Sequence, residues 1–275
     1  MAEIIVHSRF DTIGGVRTHY LEAGSGPPLI LLHSGEFGGC AELSWERNIQ
    51  SLAAHFHVLA PDWVGFGKTE KLFSFEDMWA FRVHHITQFL HHLGIERAHF
   101  IGNSMGGTML LAVAAAAKPV WPLERIIAIA GGGSVPENAA RNVLNSYDGS
   151  YEHMQRIVET MFIDPTIQKN KAYIERRNIL AREPGSWECT AAVRFKAPWV
   201  QRSAMPSKPD YSRISVPTLL VTGEKDPLRD PGFGAALQQE IPGSQLHVIA
   251  NAGHCPHIEH PAEFAEVALK FLQAG

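Results

Sequence analysis

One short segment of this chain has the residue types and spacing for nucleophilic chemistry. Gly102-Asn103-Ser104-Met105-Gly106-Gly107 follows an apolar run that ends near Ile101 and leads into a helix-forming run. G-x-S-x-G between a strand and a helix encodes a sharp turn with a serine at its apex. Glycine at 102 and 106 leaves no Cβ where two backbones must approach closely. The serine hydroxyl then stands beside the positive end of the following helix. Alone, the pentapeptide is also compatible with a plain small-residue turn. The histidines raise a second chemistry, since fifteen of them invite a metal site. Their spacing argues against one. His84 and His91, like His85 and His92, lie two helical turns apart, about 10.5 Å along the axis, too far to share one zinc. No H-E-x-x-H occurs. His254, His257 and His260 have ligand-like spacing, but Pro256 and Pro261 interrupt the helix that would align them. Three cysteines, Cys40, Cys189 and Cys255, are too few and too scattered for a disulfide framework or a structural zinc.

The elements that must position Ser104 are legible as alternating short apolar runs and longer helical patterns, the mark of a mostly parallel sheet flanked by helices. Buried strands are expected at Pro28–Leu32, His57–Pro61, Ala98–Gly102, Arg125–Ala130, Pro217–Thr222 and Gln245–Ala250, with an antiparallel strand at Thr18–Glu22. The clearest helices are Phe75–Leu93, Met105–Ala117, Pro231–Glu240 and Pro261–Leu272. Residues 134–212 break the alternation: they are charged, helical in pattern and contain no buried strand, which reads as a helical cap. Residues 1–133 and 213–275 then form the two parts of one α/β core. The net charge of −4 does not suggest a nucleic-acid or anionic-membrane partner. The longest apolar run, Met109 to Ala117, is about half of what a membrane span needs, and the N-terminus lacks a secretory pattern. With its unpaired cysteines the chain reads as cytoplasmic.

Over nearly its whole length the chain resembles an α/β-hydrolase. That resemblance implies an eight-stranded, mostly parallel sheet with the cap inserted after the sixth strand, and a triad in the order serine, acid, histidine. The acid is then Asp226, in Thr222-Gly223-Glu224-Lys225-Asp226-Pro227, with Glu224 as its neighbouring competitor, and the histidine is His254, in Ala252-Gly253-His254. The oxyanion hole would use the backbone N–H groups of Met105 and of Gly35, in the loop His33-Ser34-Gly35-Glu36-Phe37-Gly38-Gly39, where His33 is read as structural. Ser104 in place of an aspartate sets the chain apart from haloalkane dehalogenases and similar epoxide hydrolases. Gly-Asn-Ser-Met-Gly-Gly, and the spacing from His33 to Arg47-Asn48, resemble the meta-cleavage product hydrolases. These cleave a C–C bond in 2-hydroxy-6-oxo-hexa-2,4-dienoates without a cofactor.

In such enzymes an arginine of the cap binds the dienoate carboxylate. Arg176, eight residues before Pro184, is the expected equivalent; Arg177 competes, and a helix step of about 100° lets only one of them face inward. Asn103 and Ser34 complete the expected substrate contacts, with Trp187, Phe195, Trp199 and Met205 as pocket-lining candidates. The chain departs from the group in Ser34-Gly35-Glu36-Phe37-Gly38, where a glycine-rich run is common. It also has Ser44 where many members have asparagine, and Cys255 where tryptophan often follows the histidine. The expected partner is a small carboxylate-bearing substrate, and the expected assembly a homo-oligomer. A carboxylesterase or lactonase with the same triad is the alternative, and a non-catalytic receptor of this fold a remote one.

Overall fold

The computed structural model describes residues 4–194 and 209–274. Its sheet strands are β1 (Val6–Ile13), β2 (Val16–Ala23), β3 (Pro28–Leu32), β4 (His57–Pro61), β5 (Ala98–Asn103), β6 (Leu123–Ile129), β7 (Thr218–Gly223) and β8 (Gln245–Ile249). They lie in the order β1-β2-β4-β3-β5-β6-β7-β8. The β1–β2 and β2–β4 pairs are antiparallel and the rest parallel. The six parallel strands therefore end on one edge, the place where an open α/β sheet presents its loops to a ligand. β1 has no counterpart in the expected strands. It is an edge strand whose residues are mostly exposed, so it lacks the apolar run that marks a buried strand.

Helices α1 (Ala41–Trp45), α2 (Ile49–Ala53), α3 (Met78–His92) and α4 (Met105–Ala114) precede β6. Between β6 and β7 lie α5 (Ala139–Asn145), α6 (Tyr151–Met161), α7 (Pro165–Gln168), α8 (Lys171–Arg182) and α9 (Ser186–Ala191), with no strand among the described residues. The chain closes with α10 (Phe233–Glu240), α11 (Pro256–Glu259) and α12 (Pro261–Leu272). α3 starts at Met78 because Asp77 accepts a hydrogen bond from the Ala80 N–H at 2.8 Å, a side-chain cap that ends the backbone's search for partners.

The two faces of the sheet have separate cores. One packs Ile30, Leu32, Phe100, Ile126 and Leu220 against α3, α4 and α10; the other packs Leu29, Leu31, Ile101, Ile127 and Val221 against α1, α2 and α12. A third core joins α6 and α8 to Phe37, Leu43, Leu228, Cys255 and Ile258. Helices α6 and α8 are thus seated directly on the loops that follow β3, β7 and β8.

Candidate active site

Ser104 sits between β5 and α4 with φ 51° and ψ −109°, a conformation an L-residue adopts only when its surroundings enforce it. The enforcement is steric. A Cβ on Gly102 would lie 2.5 Å from the Gly106 carbonyl carbon, and one on Gly106 would lie 2.3 Å from the Leu32 oxygen. The Ser104 N–H donates to Ile129 O at 2.8 Å, and the Ser104 carbonyl accepts from both the N–H and the hydroxyl of Thr108 at 2.8 Å. The apex is therefore held from β6 and from α4.

The loops after β7 and β8 bring Asp226 and His254 to this apex. His254 Nδ1 lies 2.8 Å from Asp226 Oδ2, and Nε2 lies 2.8 Å from Ser104 Oγ. The nitrogen facing a carboxylate must donate, so Nε2 accepts from the serine hydroxyl. Burial raises the Asp226 carboxyl pKa. The His254 charge, the hydrogen bonds from His254 and the Leu228 N–H, and the Arg229 charge outweigh burial and hold it below the ordinary carboxylate range. Glu224, the competing acid, is exposed and accepts from the Asn251 N–H.

A cavity of about 190 Å³ opens over Ser104, lined by Gly35, Glu36, Trp79, Met105, Arg141 and Arg229 among others. Gly35 and Met105 are close neighbours: a Cβ on Gly35 would fall 2.5 Å from Met105 Sδ. That sulfur accepts from the buried Arg82 at 3.2 Å. His33, fully buried, accepts from the Trp63 N–H through Nε2 at 3.0 Å and donates through Nδ1 to Ser34 O at 2.6 Å. It is a neutral strut of the loop, its pKa lowered by desolvation.

The expected substrate contacts are placed differently. Arg176 points outward: it pairs with Glu42 and Glu46 at 2.9 Å each, with its side chain 42% exposed. It lies against Arg47 and Ile167 in a different pocket from Ser104. Arg177 is the residue that faces inward. It is buried, ion-paired to Glu36 and bonded to the Tyr173 hydroxyl at 3.2 Å. Burial raises the Glu36 pKa, yet the Arg177 charge and hydrogen bonds from Ser34 and Arg177 keep it below the ordinary range.

Ser34 is itself buried and donates to Glu36 at 2.7 Å, so it serves the loop and does not face the cavity. Asn103 is fully buried; its amide donates to Ile129 O at 3.3 Å and His254 O at 3.5 Å. It ties the serine turn to the histidine loop. Cys255 is buried against it, Sγ 3.7 Å from Asn103 Oδ1. Trp187 donates to Tyr147 O at 3.1 Å and is not among the residues that line the cavity. Phe195, Trp199 and Met205 lie outside the described residues. Among the described residues no three His, Cys, Asp or Glu side chains are grouped to hold a metal ion, and no helix is long and apolar enough to cross a membrane.

A family model described as the Alpha/beta hydrolase family matches residues 29–267. The chain belongs to the α/β-hydrolase family. Among this hydrolase's relatives is a 2-hydroxy-6-oxo-6-(2'-aminophenyl)hexa-2,4-dienoic acid hydrolase of Metapseudomonas resinovorans. It is 32% identical over 96% of this chain and 90% of the relative. A 2-hydroxymuconate semialdehyde hydrolase of Pseudomonas sp. (strain CF600) is 31% identical over 94% and 91%. The solved structure of a meta-cleavage product hydrolase from Pseudomonas fluorescens IP01 is 26% identical, with a TM-score of 0.86 over 96% of this chain and 97% of that one.

Two positions that hold the hydrolase's site together, Glu259 and Arg229, carried no sequence signal of their own. Glu259 receives the N–H groups of Gly253 at 2.6 Å, Ile163 at 2.5 Å and Asp164 at 2.8 Å. The His254 N–H meanwhile donates to Met161 O at 2.8 Å. Arg229 donates to the carbonyls of Ala130, Gly132 and Ser134, shaping the chain as it leaves β6. Glu36 was visible only as a break in a glycine-rich loop. The Arg47-Asn48 pair has a plain role: Arg47 donates to Ile258 O at 3.0 Å and Asn48 to His257 O at 2.9 Å, joining the region of α1 and α2 to α11.

Proposed function

We propose that this chain is a serine-dependent hydrolase that cleaves the C–C bond next to the ketone of a 2-hydroxy-6-oxo-hexa-2,4-dienoate ring-fission product. The products are 2-hydroxypenta-2,4-dienoate and a carboxylic acid. The observation that carries the reading is His254, in hydrogen-bond contact with Ser104 on one side and Asp226 on the other, in a chain whose relatives bear that activity in their names.

The dienol first becomes a ketone, its 2-hydroxyl proton moving to C5 by way of His254. The Ser104 hydroxyl, or a water that it positions, then adds to the C6 carbonyl. Its proton passes to His254 Nε2, and Asp226 stabilises the imidazolium. The N–H groups of Gly35 and Met105 receive the C6 oxyanion. The C5–C6 bond breaks with its electron pair passing into the conjugated 2-oxo group, whose oxygen takes the proton back from His254. Water supplies the hydroxyl of the new carboxylic acid, directly or by releasing it from Ser104. The substrate is its own electron sink, so each step is complete with water alone.

In this reading residues 134–212 act as a cap over Ser104, supported by the apolar contact of α6 and α8 with the loops of the core. It also carries the homo-oligomeric assembly common to resembling enzymes. A cytoplasmic location suits three buried free thiols.

The ester-hydrolase reading stands second, because the inward-facing Arg177 is already neutralised by Glu36. Product analysis separates the two. Incubation with the 6-phenyl ring-fission product is expected to yield benzoate and 2-hydroxypenta-2,4-dienoate in equal amounts. Intact substrate beside rapid hydrolysis of p-nitrophenyl esters would replace the C–C reading with the ester one.

A further inference from the structure

We propose that Arg141 is the residue that recognises a substrate carboxylate in the Ser104 cavity; the inference rests on the function proposed above and specifies its substrate contact. It follows from what each arginine of the region already holds. Arg176 is committed to Glu42 and Glu46 at the surface. Arg177 is committed to Glu36 and Tyr173. Arg229 lines the cavity, but three backbone carbonyls occupy its guanidinium and Phe233 stacks against it, 4.4 Å from the ring centre. Arg141 also lines the cavity and is far less engaged. Its guanidinium makes one long hydrogen bond, Nη2 to Leu228 O at 3.4 Å. Its Nε is buried with no partner, and among the described residues it forms no ion pair. A guanidinium has five N–H donors in a planar fork, so most of its capacity is unused at the one place where it borders the nucleophile.

The backbone of Arg141 is fixed for this task. Asn138, the N-terminal cap of α5, accepts from the Arg141 N–H at 2.8 Å, and its amide donates to Pro227 O at 3.0 Å. Pro227 follows Asp226 in the chain, so Arg141 is anchored to the loop that carries the triad acid. Arg141 is partly buried, a cation there without a paired anion is poorly solvated, and burial lowers its pKa even with Asp226, Glu137 and Glu36 in the vicinity. A carboxylate entering the cavity supplies the missing partner, in the two-pronged geometry that suits a guanidinium. Glu36, which borders the same cavity, keeps Arg177 from taking that role.

The carboxylate has two possible sources: the dienoate end of every such substrate, or an acidic group on the 6-substituent. The test compares Arg141→Met and Arg141→Lys with the unaltered protein on the 6-phenyl monoacid and on a dienedioate whose 6-substituent ends in a carboxylate. Arg141→Met is expected to raise KM by about 10- to 100-fold with kcat within about threefold, and Arg141→Lys to recover part of the loss. A loss on both substrates assigns Arg141 to the dienoate end; a loss on the dienedioate alone assigns it to the 6-substituent. Unchanged KM on both overturns the inference, as does a methionine variant that falls in kcat alone. If the unaltered protein turns over neither acid, the C–C function fails separately. The inference is then decided by calorimetric titration of the hexa-2,4-dienoate anion into Ser104→Ala, with and without Arg141→Met. A tenfold weakening upholds it, and an affinity that is equal or absent in both overturns it.

Discussion

At the scale of single residues the site is fixed by a few atoms that cannot move aside. A Cβ on Gly106 would press on the Leu32 carbonyl oxygen, and that oxygen belongs to the β3 backbone. Gly106→Ala is therefore expected to lower the unfolding free energy by about 1–3 kcal/mol, read from urea unfolding. An unchanged midpoint would show that the serine turn has slack. The same crowding is why Ser104 was legible: a strained turn admits few sequences, and G-x-S-x-G between strand and helix is one of them. Asp226 and His254 were reachable through chain order, since each follows a strand of the sheet, β7 buried throughout and β8 at the edge. Arg176 against Arg177 was not. The two differ by one step around α8, and the outward direction is set by Glu42 and Glu46, more than a hundred residues earlier. Nothing local to α8 encodes which of the two meets those carboxylates.

At the scale of elements, the histidine loop and the α6–α7 connection share one carboxylate. The two Glu259 oxygens receive three backbone N–H groups, one beside His254 and two just after α6. Glu259→Gln replaces an acceptor with an amide donor that faces an N–H. The expected result is a loss of about 1.5–3 kcal/mol in unfolding free energy, together with a fall in kcat as His254 loses its fixed position. Full stability and full turnover in the variant would contradict this coupling. The central elements around the site were legible because buried parallel strands read as uninterrupted apolar runs. The edge strand β1 was not, because His7, Ser8, Arg9, Asp11 and Thr12 leave it no apolar run. Glu259 carried no signal because its partners lie close in space and far along the chain.

At the scale of the whole molecule, the abundant histidines bear on stability as well as on catalysis. His257 is fully buried between Trp45 and Phe264, with its pKa lowered to about 3 by desolvation and the nearby His254 charge. His85 is lowered to about 4 by burial and by His84. Their ordinary value is 6.5, so below that pH the unfolded chain binds protons that the folded protein refuses. Stability is then complete above pH 6.5 and declines as pH falls toward the folded values. The lowered carboxyls of Glu36, Asp62 and Asp226 act in the same direction at the acid end. Urea midpoints between pH 4.5 and 7 should fall on acidification, and His257→Phe should flatten the slope by about 1 kcal/mol per pH unit. An unaltered slope would mean that His257 takes its proton without unfolding.

The central claim is that the Ser104–His254–Asp226 relay breaks a carbon–carbon bond. It is tested most directly by following the yellow dienolate absorbance of the 6-phenyl ring-fission product with the unaltered protein and with Ser104→Ala and His254→Ala. Rapid bleaching by the unaltered protein and a loss of at least about 10³-fold in each variant is the result predicted. Near-normal bleaching in either variant, or none with the unaltered protein, would contradict it.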